Sequence, residues 1–347
     1  MKKILAVAMA ALMVLSLAAC GESQPAATEA AAEAKVEGAA DAAEASTEAP
    51  YIIMVNALNG HPVYEQQAAG ARKAAEDYGV NLEIIGPSMG SAAIVTDTIA
   101  AMENATTLAP DAIICEPDDP SYFTSVSKMK EAGIPVFCTS TGPDNQDDYV
   151  SCSGTDNVQY GRTAADMIAE ASGGEAHILC ILAELTTINQ VKQLEGLKER
   201  IAEAYPNMEV VEAVADSCDL SKAVSECQDN FNAYPQIDTV VMFESTGGPG
   251  VAQVAKEMGR DIRILDIDAV EETIDNIKNG SEWATLAQNF YKRGYESVRM
   301  AYEYVTQNGQ VEYPQFVDSG TVLITKETAD TYEEDLWAAV KMKGQPW

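Results

Sequence analysis

The chain has 347 residues, more than the roughly 250 to 300 at which a single hydrophobic core stops growing, so we expect about two folded domains. It carries 54 acidic against 22 basic residues, a net charge of -32, which disfavours binding to nucleic acid or to anionic lipid surfaces. Apolar residues make up 47% of the sequence, too many for a chain that is mostly disordered.

The N-terminus has the pattern of an export signal. Lys2 and Lys3 precede an apolar run from residue 4 to residue 17, which is too short for a membrane-spanning helix. The run ends in LAACG, which resembles the lipobox of bacterial lipoproteins, where the Cys, here Cys20, receives a lipid and becomes the mature N-terminus. We expect a signal peptide at 1–19 and an extracytoplasmic protein anchored to the cell membrane only through lipid. An ordinary signal peptide with an incidental Cys is the alternative.

Residues 20–50 are predicted to be a lipidated, disordered tether. Between residues 26 and 49, half of the residues are Ala and a quarter are acidic, and none is aromatic. Such a segment has too little apolar surface to found a core. Acidic residues repeat every four positions from Glu29 to Asp41, and like charges at this spacing oppose the helix that Ala would favour.

The other six cysteines do not form a recognisable metal or redox motif. Four of them, Cys115, Cys138, Cys152 and Cys180, lie in apolar runs, where a thiol behaves as a small hydrophobic group. There is no CxxC motif, and the chain has only two histidines, so we expect no metal and no cofactor. Cys218 and Cys227 could form a disulfide in an oxidising exterior, which the sequence leaves open.

From Pro50 onward, short apolar runs alternate with amphipathic segments. Short apolar runs are typical of strands buried on both faces, and the segments between them have helical spacing. Gly79 and Gly133 are expected to end helices, and Ser121 to begin one. The first series of predicted strands is 52–55, 82–85, 112–115 and 134–138, with helices at about 64–78, 92–107 and 121–132.

A second series of the same kind follows. Its predicted helices are 158–171, 190–204, 221–233 and 249–258, and its strands are 177–182, 209–214, 239–243 and 262–267. Regular alternation of strands and helices is typical of parallel sheets covered on both faces. We therefore predict an α/β fold with two similar, doubly wound parallel-sheet lobes.

Open parallel sheets bind ligands just beyond the carboxyl ends of their strands, so the residues that follow strands are the first binding candidates. Here they are polar or acidic and include neither Lys nor Arg, which disfavours an anionic ligand such as a sugar phosphate. Any one of them could instead cap a helix or form a turn. The candidate segments are 59–64, 116–119, 140–141, 184–189, 244–248 and Asp268, among which we select Glu116, Ser140, Asn189 and Ser245.

Several short motifs, taken in order, resemble the type I periplasmic solute-binding proteins of sugar ABC importers, the class of ribose, galactose and xylose binders. The resemblance covers about 51–325. The motifs are NGHPVY at 59–64, AGIPV at 132–136, GTDN at 154–157 with GR at 161–162, EG at 195–196, GPG at 248–250, DID at 266–268, and AQ at 287–288 with GY at 294–295.

The resemblance implies two lobes that close on a small polar ligand and are joined by a hinge of three crossings. The crossings would fall near 154–157, 283–289 and 312–320. The lobes would comprise 51–156 plus 289–312 (lobe 1) and 157–288 plus 313–347 (lobe 2).

The resemblance also implies roles for individual residues. In that class, the loop after the first strand supplies a polar residue and an aromatic ring that stacks on the sugar, and His61 and Tyr64 match these positions. Asn157, Asp268 and Gln288 match polar positions that bond sugar hydroxyls. Tyr64 could instead pack within its helix, and Gln288 could be a hinge contact.

Three departures from the ribose-binding pattern make ribose itself doubtful. Ser140 and Thr141 stand where ribose binders carry an Asp-Arg pair that clamps sugar hydroxyls. Val191 stands where they carry an Arg, and Glu116 aligns with a cleft Asn. A neutral polyol, an unusual or amino sugar, or a related hydroxylated signal molecule fits an acidic cleft poor in Arg better.

The expected function is therefore that of a monomeric, lipid-anchored receptor that binds a small neutral polar ligand and delivers it to an ABC permease. The alternative is a sensor protein that presents the same ligand to a chemoreceptor or a histidine kinase. We expect no enzyme activity, because the sequence has no GxSxG, P-loop, GxGxxG or HExxH motif and its two histidines are far apart.

Overall fold

A computed structural model of the chain describes residues 49–334. The predicted signal peptide, Cys20 and nearly all of the predicted tether lie outside the described residues, as does the C-terminal segment from residue 335 onward. Within the described part of the chain, none of the helices combines the length and the apolar character needed to cross a membrane.

The first lobe is built on a six-stranded parallel sheet with strand order β11-β5-β4-β3-β1-β2. Most of its elements precede the first crossing, and α9 and β11 return to it later in the chain. The elements are β1 (Tyr51–Val55), α1 (Pro62–Tyr78), β2 (Asn81–Ile85), α2 (Ile94–Thr107), β3 (Ala112–Cys115), α3 (Phe123–Glu131), β4 (Val136–Thr139), β5 (Ser151–Gly154), α9 (Phe290–Thr306) and β11 (Phe316–Asp318).

The second lobe repeats the plan, with strand order β12-β10-β9-β8-β6-β7. All neighbours in this sheet are parallel except β12, which runs antiparallel to β10. The elements are α4 (Asn157–Ser172), β6 (Glu175–Leu182), α5 (Ile188–Ala204), β7 (Asn207–Ala215), α6 (Leu220–Ala233), β8 (Thr239–Met242), α7 (Gly248–Glu257), β9 (Arg263–Ile267), α8 (Glu271–Asn279), β10 (Ala284–Gln288) and β12 (Thr321–Thr325). The predicted α/β class with two parallel-sheet lobes is confirmed.

Both sheets are covered by helices on both faces, as the continuous apolar strands predict. On β1, Ile52 and Met54 pack into a core with α1 and α9, whereas Ile53 and Val55 pack into a separate core on the opposite face. The second sheet divides in the same way between two further cores. Burying alternate side chains of one strand in two cores fixes the strand register.

A reciprocal pair of glycines joins one pair of helices in each lobe. In the first lobe, a methyl group at Gly70 of α1 would clash with the backbone of α9, and one at Gly294 of α9 would clash with the backbone of α1. Gly161 of α4 and Gly196 of α5 stand in the same relation in the second lobe. Gly161, Gly196 and Gly294 belong to the motifs that carry the family resemblance, and the role of all four glycines is close helix packing.

The chain crosses between the lobes three times, between β5 and α4, between β10 and α9, and between β11 and β12. The last crossing lies at the end of the expected range of 312–320, so the lobe boundary expected at residue 312 is too early. Phe316 pairs with Cys152 of β5, so the chain stays in the first lobe until Asp318. The physical reason is that β11 adds a sixth strand to the exposed edge of the first sheet.

The expected helix ends are partly confirmed. Gly79 takes the left-handed conformation, with φ of 71°, just after α1. Ser121 does not begin α3, because a short 3-10 turn precedes that helix and Asp119 caps the turn by accepting a hydrogen bond from the backbone N–H of Ser121 at 2.8 Å. The Ser121 hydroxyl also donates to the Asp119 carboxylate, so Ser121 belongs to the capped turn and is not the cap.

Candidate ligand-binding cleft

A cleft of about 820 Å³ lies beyond the carboxyl ends of both sheets and receives residues from both lobes. It is the place that the topology of open parallel sheets favours for a ligand. Eight of the residues selected from the sequence line it: His61, Tyr64, Glu116, Ser140, Asn189, Ser245, Asp268 and Gln288.

The first-lobe wall of the cleft is aromatic. The Tyr64 ring meets the Phe290 ring edge to face, with centroids 5.7 Å apart, and the His61 ring meets Tyr64 at the same distance. Burial lowers the pKa of His61, although Glu244 opposes the shift, so the imidazole is neutral at pH 7. Its Nδ1 is buried without a hydrogen-bond partner. This wall therefore offers ring faces and one unused polar atom.

Hydrogen bonds in the first lobe fix the loop that carries His61. The backbone N–H of Asn59 donates to Pro87 at 2.8 Å, and the backbone N–H of Met89 donates back to Asn59 at 2.8 Å. The buried amide of Asn56 donates to the Asn59 side chain at 3.1 Å and accepts from Gln67 at 3.2 Å. The loop after β1 and the loop after β2 are thus tied together beside the cleft.

Asp268 is the central acid of the second-lobe wall. It follows β9 with φ of 62°, and its Oδ1 accepts from the Gln288 side chain at 3.1 Å. Burial raises the pKa of Asp268 to about 6, although the hydrogen bond from Gln288 and the charge of Arg293 oppose the shift. Asp268 does not cap α8, whose N-cap residue is Val270. Its carboxylate lines the cleft, where it can accept a hydrogen bond from a ligand.

A second acid in this wall, Glu244, is held by its own loop. Its carboxylate accepts from the backbone N–H groups of Thr246 at 2.8 Å and Gly247 at 2.6 Å. Next to it, burial and the neighbouring carboxyl of Glu244 raise the pKa of Asp216 to about 8, so Asp216 is largely protonated at pH 7. Nearby, the Asn189 Oδ1 is buried without a partner.

The floor of the cleft contains a cation that the search after strands missed. Arg293 of α9 is 1% exposed and lines the cleft. It donates to the Gln288 side chain at 3.0 Å, and its guanidinium lies 3.8 Å from Glu116 and 4.1 Å above the Phe290 ring. The residues that follow strands contain no Lys or Arg, as expected, but a residue of helix α9 adds one cation to the cleft. The sequence signal that could have indicated this cation is an Arg directly before Gly294, the glycine at which α9 packs against α1 of the first lobe.

Asn157 is the one selected residue that the structure does not bring to the cleft. It is the first residue of α4, and its side chain accepts a hydrogen bond from Gln193 of α5 at 2.9 Å. The amide thus joins two helices of the second lobe. Because the side chain takes part in helix packing, its position in the motif did not suffice to place it in the cleft.

The cysteines occupy the positions that core packing predicts. Cys115, Cys138, Cys152 and Cys180 are buried free thiols in strands. Cys218 lines the cleft and Cys227 is buried in α6, and both are free, so the pair forms no disulfide. Between residues 49 and 334, no group of His, Cys, Asp and Glu side chains could hold a metal ion.

This fold and cleft define a two-lobed binding protein. The chain belongs to the family of the periplasmic binding protein domain, which matches residues 52–310. Its family membership makes the chain a binding protein.

Curated relatives match at low identity. The chain is 28% identical to the xylitol-binding protein of Mycolicibacterium smegmatis over 182 residues, which is 52% of each chain, so it spans about half the length of that relative. It is 24% identical to the ribose import binding protein of Salmonella typhimurium over 265 residues, covering 76% of this chain and 87% of the relative. It is 23% identical to the D-apiose import binding protein of Actinobacillus succinogenes, covering 73% and 81%.

Solved structures share the fold over nearly their whole length. A glucose-galactose binding protein from Geobacillus stearothermophilus superposes with a TM-score of 0.74 at 23% identity, covering 81% of this chain and 98% of that one. A carbohydrate transporter solute binding protein from Agrobacterium radiobacter, in complex with D-arabinose, superposes with a TM-score of 0.74 at 24% identity, covering 85% and 100%. The two-lobed architecture is therefore that of the family.

Proposed function

We propose that the protein is an extracytoplasmic receptor that binds a small, neutral, polyhydroxylated ligand, a sugar or a polyol, and delivers it to an ABC permease. The observation that carries this proposal is that unpartnered polar atoms of Asn189 and His61 and the carboxylate of Asp268 line the same cleft as the aromatic ring of Tyr64. Hydroxyl groups would satisfy the polar atoms, and the apolar face of a sugar ring would lie on the aromatic ring.

The names of the relatives support the same class of ligand. They are described as binding xylitol, ribose and D-apiose, which are all neutral polyhydroxylated molecules. The departures at Ser140 and Glu116 from the ribose pattern favour a polyol or a less common sugar over ribose.

A thermal-shift screen of residues 51–347 against neutral sugars, polyols, amino sugars and nucleosides tests the proposal. A ligand at a hundredfold excess over its dissociation constant should raise the free energy of unfolding by about 2.7 kcal/mol. Solution scattering of the same complex should show a smaller radius of gyration, because a site split between two lobes is completed when they close. A screen in which only nucleosides stabilise the protein would reject the sugar or polyol class.

The lipid anchor is proposed from the sequence pattern around Cys20. Cys20→Ser removes the thiol that would carry the lipid. We expect the variant to be released from the membrane or to stay uncleaved, as measured by detergent partitioning of the expressed protein. Unchanged partitioning together with ordinary signal-peptide cleavage would exclude the lipoprotein.

Uptake measurements separate delivery to a permease from presentation to a sensor. If the protein serves a permease, a deletion strain should lose high-affinity uptake of the radiolabelled ligand. If it serves a sensor, uptake should persist and the transcriptional response to the ligand should be lost.

A further inference from the structure

The Arg293 guanidinium lies where two of the three crossings meet. It lies 3.5 Å from the Thr155 hydroxyl in the first crossing and 3.0 Å from Gln288 at the second crossing. Gln288 in turn donates to Asp268 of the second lobe. The Nε of Arg293 is buried without a hydrogen-bond partner. One buried cation thus connects the cleft floors of both lobes and keeps a free donor.

Glu116 is the counter-charge of this cation. Its Oε1 lies 3.8 Å from Arg293, its Oε2 accepts from Thr139 at 3.2 Å, and both charged side chains are at least 97% buried. Arg keeps its charge in any protein environment, and a buried charge without a partner is costly. Asp268 is separated from the guanidinium by the Gln288 side chain, so Glu116 supplies the direct compensation.

We propose that the Arg293–Glu116 pair sets the charge selectivity of the cleft. Glu116 cancels the guanidinium charge, so the cleft accepts uncharged polyhydroxylated ligands and rejects the corresponding sugar acids. The inference rests on the proposed sugar-binding function and names the residues that decide between neutral and acidic members of that class. Without Glu116, the Arg293 charge is uncompensated and a ligand carboxylate becomes its partner.

Matched pairs of neutral sugars and sugar acids test the selectivity. Titration calorimetry at pH 7.5 with glucose and glucuronate, galactose and galacturonate, and xylose and xylonate gives the preference of the wild-type protein. We expect the neutral member to bind at least tenfold more tightly in the pair that binds. Glu116→Gln, which keeps the size and the hydrogen bond from Thr139, should move that preference toward the acid by about tenfold or more, which is about 1.4 kcal/mol.

Two further variants control the result. Adding Arg293→Met to Glu116→Gln should abolish the gain, because the cation is then absent. Glu303→Gln is the matched control. It breaks an Arg–Glu contact of α9 that does not line the cleft, in which the Arg299 Nε lies 3.1 Å from Glu303. This variant should leave the preference between neutral sugar and acid unchanged. A gain of acid binding cannot result from misfolding.

Three results would overturn the inference. If Glu116→Gln binds the neutral sugar with the wild-type preference, or if the wild-type protein prefers the acid, the pair does not set selectivity while the sugar-binding function stands. The wild-type measurement needs no variant to fold. If the wild-type protein binds no sugar or polyol in the wider screen, the proposed function fails and this inference fails with it.

Discussion

The two walls of the cleft use different chemistry although the lobes share one plan. The first-lobe wall presents the rings of His61, Tyr64 and Phe290. The second-lobe wall presents the carboxylates of Asp268 and Glu244, each of which accepts hydrogen bonds from its own lobe. Helix packing is the same in both lobes, down to the paired glycines. The side chains that differ at the cleft lie in loops after strands and at the starts of helices, where they can change without disturbing the cores.

Because the two walls differ in chemistry, we expect substitutions in them to change ligand affinity by different amounts. Hydrogen bonds to a buried carboxylate are directional and contribute roughly 1.5 to 3 kcal/mol each. Contacts on an aromatic face tolerate a change of ring chemistry and contribute roughly 0.5 to 1.5 kcal/mol beyond area burial. The second-lobe wall should therefore contribute most of the affinity, and the first-lobe wall should select ligands by the shape of their ring faces.

The largest expected effect is that of Asp268→Asn. The substitution replaces one carboxylate oxygen by a donor, so the ligand should bind about tenfold to several hundredfold more weakly, at about 1.4 kcal/mol per decade. The melting temperature of the ligand-free protein should change by only a few degrees, because Asp268 caps no helix. Calorimetry with the cognate ligand measures the change.

Asp219→Asn is the matched control for that substitution. Asp219 caps α6 by accepting from the backbone N–H groups of Ser221 and Lys222, and it does not line the cleft. Asn is an equivalent N-cap, so affinity and stability should both be retained. Equal affinities of Asp268→Asn and wild-type protein would place the ligand elsewhere in the cleft.

Lowering the pH should weaken ligand binding through the second-lobe wall. The pKa of Asp268 is raised to about 6 in the ligand-free protein, so lowering the pH through 6 adds a proton to the acceptor and removes its charge. The ionised fraction of such a group falls about tenfold between pH 7.5 and pH 5, and affinity should fall by a similar factor.

The pH effect needs a control because other charged groups lie near. Glu244 and Arg293 contribute to the pKa of Asp268, and His61 gains a proton at a pH below its ordinary range. Calorimetry of Asp268→Asn across the same pH range separates these groups. A pH dependence that survives in the variant would assign the effect to another group, such as His61.

How far the cleft could be predicted from sequence depends on where each residue lies in the chain. Residues directly after strands, such as Glu116 and Ser245, follow from topology alone, because parallel strands bring their carboxyl ends to one edge. Arg293 and Phe290 belong to a helix that follows a crossing, so their position depends on which lobe the helix joins. Residue spacing does not fix that choice, which is made by the close packing of Gly294 on α1.

The first wall should show a smaller effect than the second. Tyr64→Phe keeps the ring and its contact with Phe290, so affinity should change by no more than about threefold. Tyr64→Leu removes the aromatic face and should weaken binding by about three- to tenfold, close to 1 kcal/mol. A Phe variant as weak as the Leu variant would show that the hydroxyl, and not the ring, contacts the ligand. Calorimetry of both variants makes the comparison.

The smallest expected effect on binding is that of Asn157→Ala, although the family motif places Asn157 among the ligand-binding positions. The structure gives its side chain to Gln193 of α5 at 2.9 Å, and Gln193 is fully buried. Removing one partner of a buried hydrogen bond leaves the other unsatisfied, at a cost of roughly 1 to 3 kcal/mol in the free energy of unfolding. Affinity measured well below the melting temperature should stay within about twofold of wild type. A large loss of affinity without a loss of stability would return Asn157 to the cleft and would mean that α4 turns toward the ligand when the lobes close.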